Sequence, residues 1–158
     1  MIAIVSESVA TTDTRFNTFE KNLKEIEGIS SEGVIDSIKK AEPIGPVIKP
    51  HAMVITPCTG NTLAKLACGI TDSTVTMAAK AHLRNGRPLV IALATNDALS
   101  ANFKNIGTLM ERKNIYFVPL RQDDPSTKPS SLIADFGMIK ETLELALVGK
   151  QIRPLFIT

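Results

Sequence analysis

The run Ala52-Met53-Val54-Ile55-Thr56-Pro57-Cys58-Thr59-Gly60-Asn61-Thr62-Leu63 decides the fold. Four apolar residues and the β-branched Thr56 open it, as in a strand buried on both faces. Pro57 cannot donate to a ladder and marks the strand's end. Small polar residues follow, and then Leu63, Leu66 and Ala67 recur at helical spacing. A buried strand that passes through a tight turn straight into a helix is the repeating unit of a parallel sheet.

The same alternation extends in both directions. Towards the N-terminus, residues 2–6 (IAIVS) read as another buried strand. Phe16, Phe19, Leu23 and Ile26 then share one helical face, with Gly28 as the expected stop. Ser31 is placed to cap a short second helix carrying Ile35 and Ile38. Residues 42–50 (EPIGPVIKP) hold three prolines and a glycine, so they predict an irregular connection. Towards the C-terminus, residues 73–85 predict a helix closed by Gly86, and residues 88–94 (PLVIALA) a third strand. A helix with Ile106, Leu109 and Met110 and a fourth strand at 115–120 come next. Residues 121–131 (RQDDPSTKPSS) predict a surface loop. A last helix carries Ile139, Leu143, Ala146 and Leu147 and ends near Gly149, and residues 154–157 offer a final short strand. The expected architecture is α/β: a three-layer α/β/α sandwich around a parallel Rossmann- or flavodoxin-like sheet, with residues 1–158 in one domain.

Composition sets the functional bounds. With 158 residues, 44% of them hydrophobic, the chain is long enough to bury a core without disulfides. Eighteen basic residues against 16 acidic ones leave a net charge of +2, too even for a general binder of nucleic acid or membrane surfaces. One Tyr and no Trp leave few stacking platforms for single strands. Cys58 and Cys68 form neither a CxxC pair nor a zinc set and read as reduced thiols of a cytosolic protein. The apolar start MIAIVSESVA is interrupted by Glu7 and lacks a basic flank, so it is a poor signal peptide, and no run reaches membrane length.

In such sheets, ligands bind beyond the carboxyl ends of the strands. Three polar turns are therefore candidates. The sharpest is Thr59-Gly60-Asn61-Thr62, where glycine permits close approach and free N–H groups at the helix start suit an anion or a ring carbonyl. Two readings of it stand: an ordinary helix cap and a ligand-binding turn. Thr95-Asn96-Asp97 follows the third strand, and Ser6-Glu7-Ser8 follows the first. Neither is a Walker loop or a GxGxxG turn. His51 and His82 build no catalytic constellation or metal set, Asp123 and Asp124 read as solvated loop charges, and Lys65 as a surface residue.

From Pro57 to Lys65 (PCTGNTLAK) and on through Gly69-Ile70-Thr71-Asp72, the chain resembles the flavoproteins, the family of homo-oligomeric flavin-containing Cys decarboxylases. There, Pro-Ala-Ser-Ala-Asn-Thr precedes the same Ala-Lys and a Gly-Ile-Ala-Asp pattern. Residues 12–16 (TDTRF), 77–99 (MAAKAHLRNGRPLVIALATNDAL) and 114–136 (NIYFVPLRQDDPSTKPSSLIADF) narrow the resemblance to one branch, the B subunits of dipicolinate synthases. The resemblance implies an FMN-binding α/β fold. It implies a part in oxidising a dihydrodipicolinate-type precursor to dipicolinate, the spore-core chelator, in the mother-cell cytoplasm. It also implies a homo-oligomer and a separate A subunit whose Rossmann domain carries NAD(P).

Residue by residue, Thr59, Gly60, Asn61 and Thr62 fall on the family's flavin-contacting motif. Thr95 and Asn96 take the place of its Pro-x-Met-Asn turn, without the proline and methionine. Ser6 and Ser8 fall at the end of its second strand, beside the flavin phosphate. The family's first strand, Gly-Ser-His-type loop and helix have no counterpart, so the chain is expected to start at the second strand. No catalytic residue is assigned. Two other functions stay open: a non-catalytic assembly or regulatory protein that binds the A subunit without flavin, and a flavin-dependent Cys decarboxylase relative.

Overall fold

The computed structural model describes residues 1–13 and 17–158. Strand β3 (Met53–Cys58) is the strand of the deciding segment. It pairs in parallel with β4 (Leu89–Thr95), Met53 opposite Leu89 and Ile55 opposite Ile91. The register shifts between Ile55 and Cys58. That irregularity accommodates Pro57 inside the strand, whereas the residue type alone places it at the strand's end. Strand β4 also pairs in parallel with β5 (Ile115–Phe117), so three neighbouring strands run the same way.

Helices fill the crossovers as the periodicity predicts. After β3 come α4 (Gly60–Cys68) and α5 (Thr74–Leu83), and after β4 comes α6 (Phe103–Met110). Gly69 closes α4 at φ +72°, a left-handed conformation that costs glycine little. Ser73 and Thr76 form a reciprocal capping box that starts α5. α4 packs on α5 and α6, while α7 (Ile139–Leu147) packs on β4 and β5. The core between these layers is apolar, with Leu63, Leu89, Ile91, Leu93, Leu109 and Phe117 fully buried.

The central sheet is mostly parallel, and it departs from the expected all-parallel sheet at its C-terminal part. Residues 115–120 form β5 and the start of a second short strand, β6 (Leu120–Arg121), rather than one strand. β7 (Leu132–Ala134) returns antiparallel and inserts between β4 and β6, Ala94 opposite Ile133 and Leu120 opposite Ala134. At three residues it is too short to leave a periodicity signal. The expected final strand at 154–157 reduces to a single bridge between Phe156 and Leu120.

The N-terminal part differs more. Of residues 2–6, Ala3–Ile4 form the strand, β1, and it pairs in parallel with β2 (Val34–Ile35) in a sheet of their own. Residues 34–35, expected in a helix, are therefore extended. The short helix α3 (Ile38–Ala41) starts later, capped by Ser37 and not by Ser31. Between these strands lie α1 (Glu7–Thr11) and α2 (Phe19–Ile29). α2 runs through Gly28, because Ser30 beyond it donates its N–H to the Ile26 and Glu27 carbonyls and closes the helix there. Phe16, expected on the apolar face of this helix, and Thr14 and Arg15 lie outside the described residues.

Candidate functional site

The turn after β3 and the turn after β4 meet at Gly60. A Cβ on Gly60 would lie 2.5 Å from Thr95 Oγ1, 2.7 Å from Asn102 Nδ2 and 2.9 Å from Asp97 Oδ1. Real Cβ atoms do not come so close, so glycine is required by close approach here. The register of β3 and β4 causes it: side-by-side parallel strands deliver their following turns to the same end of the sheet.

Each turn is locally determined. Thr59 is the N-cap of α4, its Oγ1 accepting from Thr62 N at 3.3 Å and bonding Thr62 Oγ1 at 3.2 Å. The cap reading of this turn thus holds for Thr59 and Thr62. The N–H groups of Gly60 and Asn61, at the start of the helix, have no intrahelical acceptor. Asn61 is exposed. At the end of β4, the Thr95 hydroxyl donates to Asp97 Oδ1 at 2.6 Å, and Asn102 Nδ2 donates to Asp97 Oδ2 at 2.8 Å. Asn105 Nδ2 in turn donates to Asn102 Oδ1 at 2.8 Å. These hydrogen bonds, Thr95's first and Asn102's second, hold the Asp97 carboxyl below its ordinary pKa.

Beside this junction lies a cleft of about 340 Å³. Thr59, Gly60, Thr95, Asn96, Asp123 and Ser131 are among the residues that line it. The Ser131 hydroxyl, and then Lys128, whose Nζ lies 3.1 Å from Oδ2, lower the pKa of Asp123. The Ser131 hydroxyl also reaches the Thr95 carbonyl at 3.3 Å and Asn96 Oδ1 at 3.4 Å. The cleft therefore combines the start of α4 at Thr59 and Gly60 with the acceptor atoms of Thr95 and Asp123.

Of the candidate residues, the structure brings Thr59, Gly60, Thr95 and Asn96 to the cleft, with Asn61 and Thr62 on the first turn of the adjoining helix. Ser6 and Ser8 are not among the residues that line it. Ser6 instead caps α1, accepting from Val9 N at 3.4 Å, and Ser8 is exposed within that helix. The reason is pairing: β1 is hydrogen-bonded to β2 and not to β3, so its end is not delivered beside the other two. Lys65 pairs with Asp72 at 2.9 Å on the surface, as expected. Asp123, read as a solvated charge, and Ser131 are residues of the cleft. Their signal in the sequence is faint, since Ser131 precedes the three-residue β7 and Asp123 follows the two-residue β6, strands that periodicity does not reveal.

Comparison with known proteins places this chain in a family. The family model described as "Flavoprotein" matches residues 5–145. The chain belongs to the flavoprotein family. Within it, the chain is 46% identical over 154 residues to the dipicolinate synthase B subunit of Bacillus subtilis (strain 168), covering 98% of this chain and 77% of that protein. The crystal structure of the dipicolinate synthase B subunit from Bacillus halodurans superposes with a TM-score of 0.91 at 47% identity, covering 99% of this chain and 80% of that one. The FMN-dependent cysteine decarboxylase SpaF is similar in structure at a TM-score of 0.56 and 25% identity, covering 78% of this chain and 70% of the other. Family membership supports a flavin cofactor. Against the flavoprotein motif, this chain carries Gly60 where the pattern has alanine, and Thr95, Asp97 and Asn102 occupy the space that methyl group would fill.

Proposed function

We propose that this chain is the FMN-binding B subunit of a dipicolinate synthase, contributing to the oxidation of a dihydrodipicolinate-type precursor to dipicolinate during sporulation. Its partner in this reading is an A subunit that carries NAD(P) on its own Rossmann domain, and both work in the mother-cell cytoplasm, this chain as a homo-oligomer. The observation that carries the reading is the contact of two strand-end turns at Gly60 beside a cleft lined by Thr59, Thr95, Asn96 and Asp123.

The residues present suit a flavin mononucleotide. The N–H groups that open α4 suit an anionic or carbonyl oxygen. Thr95, Asn96 and Asp123 suit the N–H and hydroxyl groups of the same ligand. Bound there, the flavin would supply hydride chemistry, and this chain would supply orientation and electrostatic environment. Asn61, exposed on the first turn of α4, would meet the ring or its carbonyls.

A second reading, a flavin-free assembly protein, is favoured by one observation: Ser6 and Ser8, expected near the phosphate, do not line the cleft. Purification and titration decide between them. The FMN reading expects a yellow protein, or one that takes up added FMN with quenching of its fluorescence. A colourless protein that ignores FMN yet captures the A subunit in a pull-down establishes the assembly reading instead. A cysteine-decarboxylation assay tests the third possibility, for which the likeness to SpaF is the support.

A further inference from the structure

The polar chain behind the cleft runs Asn105, Asn102, Asp97, Thr95, and each link restricts the next. Asn105 and Asn102 are buried, at 9% and 6% exposure. Because Asn102 Oδ1 accepts from Asn105, the Asn102 amide group must turn its Nδ2 towards Asp97. Asp97 is a carboxylate and has two acceptor oxygens, one for Asn102 and one for Thr95. The single hydroxyl hydrogen of Thr95 is thereby committed at 2.6 Å to a charged acceptor, among the stronger hydrogen bonds a hydroxyl makes. With that hydrogen committed, Thr95, which lines the cleft, has only lone pairs left to offer a ligand. The Ser131 hydroxyl is shared among the Thr95 carbonyl, Asn96 and Asp123, and Asp123, which also lines the cleft, is an acceptor by charge.

We propose that Asp97 is a positioning residue of this site: it fixes Thr95 as an acceptor, so the cleft selects a ligand that presents an N–H or O–H donor at this point. A phosphate or carbonyl oxygen is turned away from this point and directed to the start of α4. The inference rests on the flavin reading. In a flavin mononucleotide, the donor is the ring imide N–H or a ribityl hydroxyl.

Asp97→Asn tests the claim at nearly constant volume. An amide has one acceptor oxygen for the two donors, Thr95 and Asn102. Asn102 cannot turn, so the new NH₂ faces Thr95 and donates to it, and the Thr95 hydrogen swings to the cleft. The polarity of Thr95 towards the ligand is reversed. FMN titrations of the purified full chain, its Asp97→Asn and Thr95→Val variants and the double variant read the effect. The expected result is a loss of affinity of about tenfold or more for each single variant, the scale of one hydrogen bond to a buried partner. The double variant is expected to bind no more weakly than Thr95→Val alone, because Asp97 acts through Thr95. An Asp97→Asn penalty that persists undiminished on the Thr95→Val background overturns the proposal, as does unchanged affinity of Asp97→Asn. Should Asp97→Asn not fold, ligand-side changes to the wild type replace it. An imide N-methylated FMN binding more weakly identifies the imide as the donor. A deoxyribityl analogue binding more weakly identifies a hydroxyl, and no effect of either overturns the proposal. Failure of the wild type to bind FMN at all overturns this proposal together with the flavin reading, whereas the other negative results leave that reading standing.

Discussion

Gly60 has no room for a methyl group, and the atoms that bar it are themselves tied together. Thr95, Asp97 and Asn102 cannot retreat separately, since each is hydrogen-bonded to the next. Gly60→Ala is therefore expected to destabilise the fold by about 1–3 kcal/mol, the scale of overpacking, and to weaken FMN uptake. Urea unfolding and FMN titration check both. The two cysteines are expected to differ sharply. Burial pushes the Cys58 thiol up to about 12, so it stays protonated and unreactive at neutral pH. Cys68 is exposed at the end of α4. A thiol reagent should titrate one equivalent quickly in native protein and the second only on unfolding. Rapid loss of both thiols under native conditions contradicts the assigned burial. At this scale, Thr59, Gly60 and the turn at 95–97 are legible in the sequence because turn residues announce themselves by type. Asp123 is not, because a loop carboxylate looks the same whether it faces solvent or a cleft.

Helix α5 shows how far local rules reach. Its start is held by Ser73 and Thr76, each side chain serving the other's backbone N–H, at 3.3 Å and 3.2 Å. Ser73→Ala removes one half of that box and exposes the other. A loss of about 1 kcal/mol is expected in chemical denaturation, with the unfolding slope unchanged. A slope that changes with the midpoint indicates that more than the cap was lost. α4 and α5 follow from periodicity plus side-chain caps, and α6, α7, β3 and β4 from periodicity alone. β2 and β7 do not. Val34–Ile35 and Leu132–Ala134 are too short to carry a period, and they are extended because a neighbouring strand accepts their hydrogen bonds. The helical spacing of Ile35 and Ile38 points the other way, towards a helix, and pairing with Ala3–Ile4 overrides it.

At the scale of the whole molecule, stability links to pH through His82. Its ring lies in the core with Nε2 2.9 Å from the Pro88 carbonyl, and burial lowers its pKa below the ordinary 6.5. Among the described residues, Nδ1 has no hydrogen-bond partner. A histidine kept neutral in the fold binds a proton more readily when unfolded. Its stabilising effect is therefore full above about pH 6.5 and is lost as pH falls from there towards the folded value. Urea midpoints of the wild type should fall relative to those of His82→Gln between about pH 7 and about pH 5, and parallel curves contradict this account. By itself, the sequence determined the alternation of strand and helix, the family and the candidate turns, since each of these depends on residue type and spacing along the chain. Only the tertiary structure decided which turns meet. Contact between Gly60 and Thr95 requires β3 beside β4 in a set register, and the absence of Ser6 and Ser8 from the cleft's lining goes with β1 beside β2. Strand partnership is a choice among distant segments that compete for the same hydrogen bonds, and it is settled by how the whole core packs, not by any local pattern.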